Sequence, residues 1–203
     1  MTITPKETAL AISAQMDIPG RKMDFEFDLE NLPRYWHGGD IFKTTYNNAL
    51  SCLFPEGERM FIDAVRDNQH FVKDEKLLTQ VKGFIKQEAI HGHEHAQFNK
   101  YLDGLGYPAS KVEAFEKKEK VLMKKYLPAI HRLAITSAVE HFTAIMAHDL
   151  LTNPKSSDGV DEKFKALWKW HAVEETEHKA VAFDVYQQAG GGYIHRITTM
   201  MMV

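Results

Sequence analysis

WHAVEETEHKAVAF, residues 170–183, sets two histidines and three glutamates between a tryptophan and an Ala/Val/Phe run. On a helix Trp168, Ala172, Glu175, His178 and Ala182 recur three or four residues apart, so they share one face. The apolar members direct that face to a core, where a polar group without a partner destabilises by roughly 2–7 kcal/mol. Something must offset the burial of Glu175 and His178.

Working outward, the chain carries four long helical patterns. The first runs from Ile41 to Asp67 behind the turn WHGGD (36–40), with Asp40 as N-cap, and Pro55 and Gly57 predict a kink or an interruption in it. The second runs from Asp74 to Leu102 and stops at the glycines of DGLGYP. KVEAFEKKEKVLMKKY (111–126) is a shorter amphipathic piece. Pro128 suits the first turn of the third long helix, which extends to Leu151. NPKSSDG is a loop, and the fourth helix spans Asp161 to the triple glycine 190–192. No strand pair and no short repeat is visible, so the expected fold is an all-α helical bundle over residues 36–192. Residues 1–35 form an extended N-terminal segment. In it, residues 1–22 look loosely ordered, and Phe25, Phe27 and Leu29 alternate with acids. YIHRITTMMMV (193–203) starts a further apolar helix, too short to span a bilayer. Either the natural chain continues or this tail packs on a partner subunit, as in a homodimer.

Composition narrows the function. At 203 residues the chain can bury a core. A net charge of −3 and a pI near 6.4, with Lys and Arg scattered, exclude a nucleic-acid footprint and a polybasic membrane patch. The one cysteine, Cys52, excludes an intrachain disulfide and a thiolate cluster. The N-terminus lacks a secretory signal pattern, so the cytoplasm is the expected compartment.

The second helix carries KQEAIHGHEHAQF (86–98), in which Glu88 and His91 are three apart on the face of Val81, Phe84, Ile85, His95 and Phe98. Two inward Glu-x-x-His pairs, Glu88/His91 and Glu175/His178, suit a carboxylate-bridged dinuclear metal centre, which also needs one glutamate from each remaining helix. On the first helix Glu58 has Phe54, Phe61, Ile62 and Val65 around it and Glu56 faces more polar neighbours, so Glu58 is the inward one. On the third, Glu140 is the only carboxylate between Ala129 and the terminal Asp149. The small residues Thr136, Ser137, Thr143, Ala144 and Ala147 around it leave room for a substrate. Its walls would include Tyr46, Phe54, Phe84 and Trp168. Four carboxylates balance two divalent ions, and oxygen and imidazole donors without sulfur suit Fe or Mn, with Zn an alternative. A solvated face is the reading for His93, Glu94 and Glu177, and a surface or loop position for His131, His141, His148 and His195. The Met200–Met202 run reads as apolar packing.

Glu58, Glu88-x-x-His91, Glu140 and Glu175-x-x-His178 resemble, in order and spacing, the ferritin-like di-iron carboxylate proteins. Gaps of 29 residues between Glu58 and Glu88 and of 34 between Glu140 and Glu175 fit them. Glu174-Glu175 matches the acidic pair before x-x-His of the di-iron oxygenases, where the first half has Gln87-Glu88 instead. NNALSCLFPEGERMF, QEAIHGHEH and WHAVEETEHKAVAFD resemble a bacterial family called predicted metal-dependent hydrolases, over residues 30–203. His171, four before Glu175, is similar to the third imidazole ligand of di-iron arylamine N-oxygenases. His95 competes with it for that role, and either could support a ligand instead. A buried histidine bonded to a backbone carbonyl is the plainer reading of His171.

The resemblance implies a ferritin-like four-helix bundle with two Fe ions (Mn or Zn as alternatives) held by Glu58, Glu88, His91, Glu140, His171, Glu175 and His178. Glu88 and Glu175 would bridge, and Glu140 would face the substrate, which makes these three the catalytic carboxylates. The implied activity is O2 activation to oxidise a small organic substrate, with O2 and an electron donor as partners. Metal-dependent hydrolysis is the alternative, and non-catalytic iron handling a further one.

Overall fold

The computed structural model describes residues 17–23, 25 and 33–203. Most of the expected N-terminal segment, Phe27 and Leu29 included, lies outside them. Seven α-helices follow the WHGGD turn: α1 (Ile41–Asn68), α2 (Glu75–Gly104), α3 (Ala109–Tyr126), α4 (Ala129–Thr152), α5 (Glu162–His178), α6 (Val181–Gln188) and α7 (Tyr193–Met200). Among the described residues there is no strand, only an isolated bridge between His37 and Val160. The fold is an all-α bundle.

Local chemistry starts the long helices. Asp40 caps α1 by accepting from the Lys43 N–H at 3.0 Å, and Asp74 caps α2 by accepting from Lys76 N at 2.8 Å. Asp161 does the same for α5 at the Lys163 N–H. The expected interruption of α1 does not occur: the helix runs through Pro55. Proline lacks the N–H that would bond the Ser51 carbonyl. The side-chain amide of Asn99, on α2, donates to that carbonyl at 3.0 Å instead. The fourth long helix, by contrast, is not continuous to residue 190. It stops at His178, and α6 starts at Val181. Lys179 and Ala180 keep right-handed backbone angles, and a new ladder opens with Asp184 N on Ala180 O at 2.9 Å. The restart turns Val181, Ala182, Val185 and Tyr186 into the core.

Two apolar clusters fill the bundle. One gathers Phe61, Val65, Leu77, Val81, Phe84, Leu133, Val185 and Tyr186. The other gathers Trp36, Phe98, Tyr101, Leu102, Phe164, Leu167 and Trp168. Trp36 anchors the pre-α1 turn there, stacked on Phe164 at 4.5 Å and donating Nε1–H to Asn48 Oδ1 at 2.9 Å. Along α2 the first cluster ends at Phe84 and the second begins at Phe98. Glu88, His91 and His95 occupy the interval, so the bundle has a polar slab between two dry ends. α3 covers α1 through Lys120, which donates to Glu56 Oε2 at 2.6 Å. α7 packs on α4 with Met200 half-buried and leaves Met201 and Met202 exposed, so the apolar packing expected of the Met run within the chain is limited to Met200.

Candidate metal centre

The slab brings together all seven side chains singled out above. Glu58 comes from α1, Glu88 and His91 from α2, Glu140 from α4, and His171, Glu175 and His178 from α5. All seven are buried. They form two groups, Glu58/His91/His171 and Glu88/Glu175/His178, in each of which one donor atom per residue lies within 4.8 Å of the others. Glu175 Oε1 joins the groups, at 2.9 Å from His171 Nε2, 3.5 Å from His178 Nε2 and 3.7 Å from His91 Nδ1. Glu140 adjoins the second group, with Oε2 at 3.5 Å from His178 Nε2.

A tight approach sets Glu58. A Cβ on Gly92 would lie 3.0 Å from Glu58 Oε2 and 3.6 Å from Pro55 Cα, so glycine lets α2 close on α1 at this level. Glu56, also buried, turns away and pairs with Arg59 and Lys120.

Partners outside the cluster fix two of the imidazoles. His91 donates Nε2–H to Glu174 Oε2 at 3.0 Å, which leaves Nδ1 facing the cluster. Gln87 donates its amide to Glu177 Oε2 and the Pro19 carbonyl, so its Oε1 accepts from His178 Nδ1–H at 2.9 Å and His178 Nε2 faces inward. Arg21 ties both supports together, donating to Glu174 Oε1 at 3.0 Å and to both oxygens of Glu177. The Gln87 departure from the acidic pair is thus a working hydrogen-bond partner. Glu177 is half-buried in this network, and Glu94 is buried, so neither is the solvated residue expected; His93 is exposed. His131 and His195 are half-buried and bonded to each other at 2.8 Å.

Among the described residues, both oxygens of Glu58, Glu88 and Glu140, Oε2 of Glu175, His91 Nδ1 and His178 Nε2 have no hydrogen-bond partner. Burial, reinforced by the neighbouring carboxylates, pushes Glu58 well above the usual carboxylate range. Glu140 is pushed the same way by burial and by Glu175 and Glu88. Burial also raises Glu88, against the pull of His178. Burial opposes ionisation of Glu175, but His178 and His171 outweigh it and hold that carboxyl well down. Burial likewise opposes charge on His178, but Glu175, Glu140 and Glu88 raise it well above the usual histidine value. The protein alone therefore meets its excess negative charge with protons. Divalent cations would meet it better, because they satisfy several orphaned oxygens at once. The donor set fits such ions.

A cavity of about 390 Å³ reaches this centre at His171 and Glu175. Tyr46, Leu50, Phe54, Met146, Ala147 and Trp168 give it a mostly apolar wall. Tyr46, Phe54, Trp168 and the small residues Thr143 and Ala147 line it as expected, whereas Glu140, Thr136, Ser137 and Ala144 do not. Phe84 does not, because it packs against the His178 ring at 5.0 Å in the opposite core.

Helices carrying a buried carboxylate–imidazole cluster define a metal-binding all-α protein. The chain belongs to the family described as predicted metal-dependent hydrolase, whose model matches residues 19–203. No curated protein and no solved structure shows significant similarity to it. Among the described residues no helix is long and apolar enough to cross a membrane.

Proposed function

We propose that the protein is a dinuclear metal enzyme of the ferritin-like type, acting on a small molecule with an apolar body. Glu58, His91 and His171 would hold one divalent ion, and Glu88, Glu175 and His178, with Glu140 beside them, would hold the other. The observation that carries this reading is the set of buried carboxylate oxygens without donors that face inward-turned imidazole nitrogens. Bound, such a pair supplies Lewis acidity and a water of lowered pKa. The chain's own residues do the rest. Gln87 and Glu174 orient imidazoles, the aromatic wall excludes bulk water, and the cavity delivers substrate to the edge marked by His171 and Glu175.

Family membership supports hydrolysis as the reaction class, and we infer an ester or a related bond as its target. One observation favours a second reading, O2-dependent oxidation on an iron pair with an external electron donor. The donor set is all oxygen and imidazole, which suits iron, and it opens to a mostly apolar cavity rather than a polar one. The deciding experiment loads metal-free protein with Zn(II), Mn(II) or, anaerobically, Fe(II). Two ions per chain are expected. A Zn form that cleaves short acyl esters supports hydrolysis. A Zn form that is inert, beside an Fe(II) form that consumes O2 with a visible colour change, supports oxidation. Saturation at one ion per chain or fewer would sink the dinuclear reading.

A further inference from the structure

His95 belongs to neither ligand group, yet it is fully buried one turn beyond His91. Its partners determine where its proton sits. Asn99 donates its amide to the Ser51 carbonyl at 3.0 Å and to Glu113 Oε1 at 2.6 Å. Both partners only accept, so the nitrogen end of the Asn99 amide is assigned and its Oδ1 must accept. Ser51 Oγ donates to that oxygen at 2.8 Å. The hydroxyl has one proton, so Ser51 Oγ accepts from His95 Nδ1–H, at 2.8 Å. His95 is fully buried with its two ring nitrogens against Ser51 Oγ and His171 Nδ1 rather than a carboxylate, so the ring is neutral, and a neutral imidazole with its proton on Nδ1 has a bare Nε2. His95 Nε2 lies 2.7 Å from His171 Nδ1, so His171 is the donor of that bond. The remaining nitrogen of His171, Nε2, turns toward Glu175 Oε1 at 2.9 Å and Glu58 Oε1 at 3.8 Å.

We propose that Glu113, Asn99, Ser51 and His95 form a positioning relay that fixes His171 with its proton on Nδ1, so that Nε2 presents a lone pair to the ion shared with Glu58 and His91. This rests on the dinuclear reading above. The direction of every bond follows from two acceptor-only groups at the outer end, the Ser51 carbonyl on α1 and the Glu113 carboxylate on α3, and the relay runs through α2 to a ligand on α5. Removing the Ser51 hydroxyl takes away the acceptor for His95 Nδ1–H. The buried pair then does better with His95 donating Nε2–H to His171 Nδ1. That tautomer puts the His171 proton on Nε2, where the ion would bind.

The test measures Zn(II) stoichiometry and affinity, together with nitrogen NMR of the histidine rings in the Zn-loaded full chain. Wild type should bind two Zn ions and show His171 protonated at Nδ1. Ser51→Ala should weaken one of the two ions at least tenfold and leave the other unchanged, in line with the loss usual when a ligand's support is removed. Ser51→Thr should restore it. Circular dichroism controls for folding, and His95 supplies an independent pair. His95→Gln can accept from His171 and donate to Ser51 and should keep both ions, whereas His95→Leu should lose one. Wild-type affinity for both ions in Ser51→Ala and His95→Leu would overturn the relay alone, as would a Zn-loaded wild type with His171 protonated at Nε2. A wild type that binds no ion pair overturns the dinuclear reading, and the relay with it.

Discussion

A methyl group at residue 92 would sit 3.0 Å from Glu58 Oε2. In most helix interiors Gly→Ala stabilises by roughly 0.5–1 kcal/mol. Here the same methyl displaces the Glu58 carboxylate. Gly92→Ala is therefore expected to leave the melting temperature of metal-free protein unchanged or higher, while the ion held by Glu58, His91 and His171 is lost. Calorimetry and metal analysis on one preparation would check both signs, and unchanged stoichiometry would contradict the geometry. Glu174 offers a second check, since it accepts from His91 Nε2–H at 3.0 Å. Glu174→Gln weakens that acceptor and should cost about tenfold in metal affinity, read by competition with a chelating dye. Glu58 and Glu140 were legible in the sequence because each is a lone carboxylate in an apolar or small-residue stripe. Gln87, Ser51 and Asn99 were not, and His95 was legible only as a competing ligand or a support for one, because their roles depend on which way a bond runs between helices. One-dimensional periodicity places a residue on a face and says nothing of its partner's proton.

At the scale of elements, two departures from the sequence reading have opposite reasons. Pro55 signals a kink or an interruption in α1, and the interruption does not occur, because Asn99 on α2 supplies the donor that proline cannot. Between His178 and Val181 the helix does stop, although neither Gly nor Pro marks the place. The cores on either side of the slab demand different faces, and the restart at Ala180 resets the register. Apart from that split the helices were readable from period and, where Asp40, Asp74 and Asp161 stand at a helix start, from caps. Proline in a helix interior ordinarily costs about 3 kcal/mol, and here a borrowed hydrogen bond offsets part of it. Pro55→Ala should raise stability by about 1 kcal/mol, seen as a higher urea midpoint at unchanged m-value. A drop in the midpoint would mean that ring packing against α2, rather than the backbone, decides the residue at this position.

The molecule as a whole confines its unbalanced charge to one slab between two apolar clusters, so its stability should depend on pH through that slab. Glu58, Glu88 and Glu140 hold protons more tightly in the fold than in the unfolded chain, and so does His178. A group raised in this way stabilises fully below its unfolded value and loses that contribution as pH rises through its folded value. Glu175, held low, contributes fully above the ordinary carboxylate value of 4.5. His91 and His95, also held low, remove stability only as pH falls below the ordinary 6.5. Above 6.5 the raised groups alone remain, so metal-free protein should lose stability over the interval above pH 6.5. Metal reverses the sign, because ions bind the deprotonated ligands and bind them better as pH rises. The gap in melting temperature between metal-loaded and metal-free protein should therefore widen across that interval, measured by differential scanning calorimetry in matched buffers. Parallel curves would show that the slab's carboxylates do not exchange protons for metal, and the cluster would then have to be stabilised by its protons alone.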